Sequence, residues 1–529
     1  MSDLIHDLLL HSARSTPRQE ALNYQNARLD YGALAALVVD FAAGLLKLKL
    51  DRSERVAVYL EKRPETVAAM FGAAAAGGVF VPINPLLKPD QVAYILRDCN
   101  VRILVTSVER LKLLAGSLAE CPDLRAVVTV GAGHDPVGGL DILPWGQAVS
   151  GSGTVRPHRV IDTDMAAILY TSGSTGKPKG VVLSHRNMVA GARSVAQYLE
   201  NRPGDRILSA LPLSFDAGFS QLSTAFHAGA SVSLINYLVP RDIITAVERE
   251  GITGLTAVPP LWIQLAQLKW PEPARNSLRY IANTGGRMPR ATLDSLRAAL
   301  PKTLVFLMYG LTESFRSTYL PPSELDRRPD SIGKAIPNAE VLVVREDGTP
   351  CAPGEPGELV HRGALVSLGY WNDPAKTAER FKPAPGQPQG VVIREIAVWS
   401  GDTVQMDEEG FLYFISRRDE MIKTSGYRVS PTEIEEVIYA TGLIGEAAAL
   451  GVPHPVLGQA IVVVATPRDG AGLEAEELLA QCRQRLPAFM VPARVMVRGG
   501  ALPRNPNGKI DRKLLAQEMQ SAFEADRKP

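Results

Sequence analysis

The pattern of apolar segments predicts an α/β protein: a large N-terminal domain of layered α/β units with a region of short strands, then a small C-terminal α+β domain. Three features carry that reading. Helix-like and strand-like patterns alternate between residues 55 and 307, which suits layers around a largely parallel sheet. After Pro337 the pattern changes to short strands and turns. Beyond Ser416-Arg-Arg-Asp419, roughly 110 residues read as an independent small unit, so the domains are placed at 1–418 and 419–529.

In chain order, Leu4 to Ser12 reads as an amphipathic helix, and Ala21–Tyr24 with Leu29–Tyr31 as a short hairpin. Arg55–Tyr59 is a strand, Glu65–Ala76 an alanine-rich helix, Val79–Pro82 a strand, Pro89–Asp98 a helix and Arg102–Val105 a strand. The apolar run Val67 to Ile83 approaches the length of a membrane span. Its alanines, Gly72, Gly77, Gly78 and Pro82 make it a buried helix turning into a strand instead. Residues 134–158, rich in Gly, Pro and Ser, form a surface connection. Strands follow at Arg206–Ala210, Ser231–Ile235, Gly254–Val258 and Leu304–Leu307, then at Ala339–Val344 and Gly357–Val360. The C-terminal unit carries helices at Pro431–Ala440 and Glu474–Leu486 and strands at Ala447–Val452 and Ala460–Ala465.

With 529 residues, 46% hydrophobic content and a net charge of +1, the composition is that of an ordinary soluble protein. No basic excess points to nucleic acid or to an anionic membrane surface. Cys99, Cys121, Cys351 and Cys482 are scattered and form no CxxC pair, so neither a zinc site nor a disulfide framework is indicated; a cytoplasmic location is expected. The N-terminus has acids before its apolar residues and no basic n-region, unlike a signal peptide.

The chemistry is concentrated in Ile168-Leu-Tyr-Thr-Ser-Gly-Ser-Thr-Gly-Lys-Pro-Lys-Gly180. Apolar residues on both sides predict a hairpin whose tip wraps phosphate. Glycines let backbone N–H groups approach an anion, hydroxyls donate further bonds, and Lys177 and Lys179 supply charge. A Walker A loop is excluded, because Thr171 and Pro178 stand where it requires Gly and Ser or Thr.

This loop resembles the signature of the AMP-forming adenylating enzymes: acyl-CoA synthetases, luciferase-like enzymes and peptide synthetase adenylation domains. Further segments fall in the same order and spacing as in that family. They are Asn283-Thr-Gly-Gly-Arg-Met-Pro289, Met308-Tyr-Gly-Leu-Thr-Glu313, Ser400-Gly-Asp-Thr403, Phe414-Ile-Ser-Arg-Arg-Asp-Glu-Met-Ile-Lys423, Lys423-Thr-Ser-Gly-Tyr-Arg-Val-Ser430 and Leu502-Pro-Arg-Asn-Pro-Asn-Gly-Lys-Ile-Asp-Arg512. The family usually has Gly where this chain has Ser416.

The resemblance implies MgATP held by Thr171, Ser172, Gly173, Ser174, Thr175, Gly176 and Lys179, with adenine at Gly285, Gly286 and Tyr309. It implies ribose at Asp402 and Arg417, Mg²⁺ at Glu313 and Thr175, and a catalytic group of Lys509, Thr312 and Glu313. The C-terminal domain would pivot at Asp419 and bring Gly426 toward the thiol step. Implied partners are a small carboxylic acid and the thiol of coenzyme A, or the phosphopantetheine of a separate acyl carrier protein, since no carrier domain follows Lys509. The reaction would be acid activation to an acyl-adenylate and pyrophosphate, then thioester formation with release of AMP. A catalytically silent binding protein would be expected to lack Lys509 or Glu313, and both are present.

The acid pocket is expected from Phe215, Asp216, Trp262 and Arg287. Phe215-Asp216 looks more like the amino-acid-activating branch, where the Asp pairs with a substrate ammonium group. A carboxylate beside an acyl pocket is costly unless paired. Asp216 therefore signals either a cationic substrate or a local hydrogen-bonding role, and stand-alone amino-acid adenylation is kept as the alternative function.

Overall fold

The first unit is a seven-stranded sheet with the order Asp141–Pro144, Ala126–Val130, Val101–Ser107, Arg55–Tyr59, Val79–Pro82, Met165–Thr171 and Lys179–Ser184. The stretch expected as a surface connection thus supplies the edge strand Asp141–Pro144, paired in parallel with Ala126–Val130, and the short helix Trp145–Ala148. All neighbours are parallel except the last pair, the expected antiparallel hairpin, in which Thr171 faces Lys179. The computed structural model describes residues 3–133, 137, 139–149, 156–171, 178–417, 421–424, 427–454, 457–468, 472–505, 508–520 and 522–523.

A fourteen-stranded sheet forms the second unit. Its parallel centre runs Leu304–Tyr309, Tyr280–Asn283, Gly254–Ala257, Arg206–Ser209, Ser231–Leu234 and Glu20–Tyr24. Beyond Leu304–Tyr309 the strands are antiparallel and mostly short, as the change of pattern after Pro337 predicts, with Ile396–Met406 the long exception. The strand order reverses at Arg206–Ser209, which pairs with Gly254–Ala257 on one side and Ser231–Leu234 on the other. Ligands of open α/β sheets bind at the carboxyl ends of strands at such a switch point. The apolar run from Val67 forms helix Pro64–Ala76 and strand Val79–Pro82, and among the described residues no helix is long and apolar enough to cross a membrane.

Helices fill the space between the sheets. Asp216–Ala228 packs on His185–Tyr198, and its Phe219 and Phe226 meet Phe71 of helix Pro64–Ala76 at 5.6 and 5.3 Å between ring centroids. Phe219 also stacks on Phe80 at 5.0 Å. All four rings are essentially inaccessible, and each contributes about 1.5–3 kcal/mol by burial. This cluster welds the two sheets together and holds the start of helix Asp216–Ala228 rigidly.

The C-terminal unit is a five-stranded sheet, with Ile444–His454 and Gly458–Pro467 as its long hairpin and helices Pro431–Tyr439 and Ala475–Arg485 alongside. Its strands extend two or three residues beyond the predicted ends, because the long antiparallel register runs from Ile444 opposite Pro467 to His454 opposite Gly458. Ser416 and Arg417, expected in a linker, end strand Leu412–Arg417.

Candidate active site

The loop after Arg206–Ser209 turns sharply into helix Asp216–Ala228. Gly218 permits the turn, since a Cβ there would lie 1.8 Å from the carbonyl oxygen of Pro212. Gln221 holds the crest from the helix side, donating to Leu208 O at 2.8 Å and accepting from Leu211 N–H at 3.4 Å. Phe215 is the N-cap and Asp216 the first helical residue, a favourable place for a carboxylate.

Asp216 is ion-paired. Arg316 Nη1 donates to Asp216 Oδ2 at 2.7 Å and to Phe315 O at 3.0 Å. The arginine side chain is 3% exposed and the aspartate 17%. Arg316 Nε is buried without a partner among the described residues, beside a cavity of about 20 Å³ lined also by Asn201, Ser220, Gln221, Thr224 and Thr256. The chain reaches this place through Phe315, a non-glycine residue at φ 56 and ψ −43 directly after the turn Thr312–Ser314. Such backbone costs on the order of 1–3 kcal/mol and persists where packing over-determines it. Here the Phe315 ring is fully buried.

The turn Thr312–Ser314 brings Glu313 to Lys179. Lys179 Nζ lies 3.2 Å from Glu313 Oε1 and donates to Tyr370 Oη at 2.8 Å, and Tyr370 Oη donates to Glu313 Oε1 at 2.5 Å. Burial alone would raise the Glu313 pKa, but the Lys179 ammonium and the Tyr370 hydroxyl outweigh it and hold the carboxyl below its ordinary range. An ionised carboxylate beside a lysine suits a hard cation and phosphate oxygens. Thr171 Oγ1 is buried with no hydrogen-bond partner among the described residues. Ser172, Gly173, Ser174, Thr175 and Gly176 lie outside the described residues, as do Asp419 and Gly426.

On the nucleoside side, Tyr309 Oη donates to Asp402 Oδ2 at 2.5 Å, and Arg417 Nε stands 3.2 Å from Asp402 Oδ1. Burial and then the Asp402 charge push the Tyr309 phenol well above its usual value, so it stays protonated as a donor. Gly285, at φ 77, and Gly286 form the turn after strand Tyr280–Asn283, and Asn283 Nδ2 closes it by donating to Gly286 O at 2.8 Å. A Cβ on Gly285 would lie 3.6 Å from Lys509 Cε. Lys509, more than 200 residues downstream, therefore reaches the Gly285–Gly286 turn.

Two expected pocket residues stand elsewhere. Trp262 is wholly buried in the core with Leu208, Leu255, Ile281 and Val305. Those strand residues alternate with Ile207, Thr256 and Tyr280 beside the Arg316 cavity, so Trp262 packs on the opposite face of the sheet. Arg287 pairs outward with Asp330 at 2.7 Å and Glu436 of helix Pro431–Tyr439 at 3.3 Å, tying the glycine turn to the C-terminal unit. Conversely, Arg316 and Tyr370 were not singled out by sequence. Arg316 follows the Tyr309–Glu313 motif by three residues, and that proximity was the available signal.

The profile of the AMP-binding enzyme family matches residues 9–371, and that of the AMP-binding enzyme C-terminal domain matches residues 433–509. An L-proline–[L-prolyl-carrier protein] ligase of Pseudomonas fluorescens is 31% identical over 98% of this chain and 99% of its own length. A feruloyl-CoA synthase of an Amycolatopsis species is 29% identical over 94% and 95%. The structure of ATP-bound MatB from Rhodopseudomonas palustris superposes with a TM-score of 0.85 at 25% identity, covering 98% of this chain and 99% of that one. The nucleotide-side constellation and these matches agree: the chain belongs to the AMP-binding enzyme family and is an AMP-forming acid–thiol ligase.

Proposed function

We propose that this ligase activates a small carboxylic acid that lacks an α-ammonium group and transfers it to the thiol of coenzyme A. The Asp216–Arg316 pair carries the reading. A carboxylate left bare in the pocket would call for a cationic substrate; one already neutralised by a buried guanidinium does not.

In the first half-reaction an oxygen of the acid attacks the α-phosphorus of ATP, and pyrophosphate leaves with the electrons of the broken P–O bond. Lys509, beside Gly285, supplies positive charge between the acid carboxylate and the α-phosphate, and Thr312 donates a hydrogen bond there. Asp402 and Arg417 hold the ribose, Tyr309 and the Gly285–Gly286 turn hold the base, and Thr171 and Lys179 meet the phosphates. Glu313 would hold Mg²⁺, with Thr175 as its expected companion, and the ion would supply neutralisation of phosphate charge. In the second half-reaction the thiol sulfur attacks the acyl carbon, AMP leaves and the thiol proton passes to solvent. The C-terminal domain, 419–529, turns about Asp419 to exchange Lys509 for the Gly426 segment between the two steps. The four cysteines are free thiols, which suits the cytoplasm.

A second reading, amino-acid loading of a carrier protein, is favoured by the similarity to the prolyl-carrier ligase. There a substrate ammonium would compete with Arg316 for Asp216. Acid-dependent pyrophosphate release across aryl, short aliphatic and amino acids, with hydroxylamine trapping the adenylates and Lys509→Ala as control, separates the two. Activity confined to amino acids sinks the first reading; release of ADP instead of AMP sinks the reaction class.

A further inference from the structure

The chain leaves the switch-point strand Arg206–Ser209 through three carbonyls, and a lysine from the other sheet collects them. Lys62 Nζ donates to Ser209 O at 3.0 Å, Ala210 O at 2.8 Å and Leu211 O at 3.3 Å. Those three residues are at most 3% exposed, so the amine is turned into the protein. The Lys62 backbone is fixed in turn by Asn236, which accepts from Lys62 N–H at 3.1 Å and donates to Lys62 O at 2.8 Å. Lys62 follows strand Arg55–Tyr59 of the seven-stranded sheet, whereas Ser209 ends a strand of the fourteen-stranded one, Ala210 and Leu211 continue from it, and Asn236 lies just past strand Ser231–Leu234 of the same sheet.

We propose that Lys62 is a positioning residue for acid binding: its ammonium knits the Ser209–Leu211 carbonyls and so fixes the turn that presents Phe215 and Asp216. The inference rests on the reading that this turn lines the acid pocket. An ammonium has three N–H donors for three acceptors; a neutral amine has two and leaves one buried carbonyl unsatisfied. Burial pushes Lys62 down to about 7, so the change of donor count falls in the working pH range. Neighbouring charges are engaged elsewhere. Glu61 pairs with Arg110 at 2.6 Å, Arg63 with Glu65 at 2.8 Å and Asp216 with Arg316 at 2.7 Å, and Ser209–Leu211 and Asn236 carry no charge.

The test measures KM for the acid and for MgATP, and kcat, in the pyrophosphate-releasing half-reaction from about pH 6 to 9. In the wild type, acid KM rises with pH through about 7. Lys62→Met raises acid KM about tenfold at pH 6, leaves MgATP KM within about twofold and removes that pH dependence. Lys62→Arg, charged throughout, keeps acid KM low and flat to pH 9. Equal changes in both KM values, or a lowered Tm with no split between them, would show a purely structural brace and overturn the proposal. Asp216→Asn is the control: if it leaves acid KM unchanged, the pocket reading itself fails, whereas a change there with none in Lys62→Met refutes Lys62 alone.

Discussion

The hydroxyl of Tyr309 stands 2.5 Å from Asp402 Oδ2, so the residue proposed to meet the base and the residue proposed to meet the ribose are one hydrogen-bonded unit. Tyr309→Phe keeps the ring and deletes that bond, which is worth roughly 1.5–3 kcal/mol to a charged acceptor. KM for ATP should rise by about tenfold or more, with acid KM unchanged, when pyrophosphate release is followed against each substrate. An equal rise in both would place Tyr309 outside the nucleotide site.

Arg316→Met leaves Asp216 without its buried partner. Breaking such a pair costs about 3–5 kcal/mol, somewhat less here because Asp216 retains slight exposure. Urea unfolding should show a loss near the lower end of that range, with the original acid bound more weakly. The variant should also accept acids bearing an α-ammonium group, which a substrate panel reads directly.

Gly218→Ala forces a Cβ to 1.8 Å from Pro212 O, a distance no rotamer can relieve. Backbone must shift at the turn that delivers Asp216, at a cost of about 1–3 kcal/mol. The expected signature is a lowered Tm together with a raised acid KM. Gly204→Ala, where a Cβ meets nothing within 4 Å, serves as the silent comparison.

His185 is buried and accepts the Ile5 N–H on Nδ1 at 3.1 Å. Burial, and then neighbouring His6, push it down to about 3. The folded ring therefore stays neutral between its ordinary 6.5 and about 3, while the unfolded chain takes up the proton. Its contribution is present above 6.5 and is lost as pH falls toward 3, by up to about 1.4 kcal/mol per pH unit. His185→Gln should flatten stability against pH in that window by up to one proton, measured by urea unfolding.

The layered α/β order and the phosphate hairpin were legible because they rest on local pattern: Arg55–Tyr59 and Val79–Pro82 alternate with helices, and Met165–Thr171 with Lys179–Ser184 brackets a polar tip. What the motifs omit depends on distant partners. Lys62 bonds residues nearly 150 positions away, and Tyr370, Lys179 and Glu313 come together from three separate segments. Trp262 is expected as a pocket wall from its place in the stretch after strand Gly254–Ala257; only the sheet's alternation reveals that it faces the other side. Arg287 lies inside a recognisable motif, yet its pairing with Glu436 requires the C-terminal helix to be in place.

The backbone reversal at Phe315 separates two duties within four residues: Glu313 faces Lys179, and Arg316 faces Asp216. On the proposed reading, a change at Arg316 would alter what the acid compartment admits without passing through Glu313. Because Arg316 pairs with Asp216 and Glu313 with Lys179, a change of substrate made at the first pair would need Arg316 and Asp216 altered together, with the second pair left as it is. The same decoupling marks the pair as the place to begin retargeting the enzyme in the laboratory.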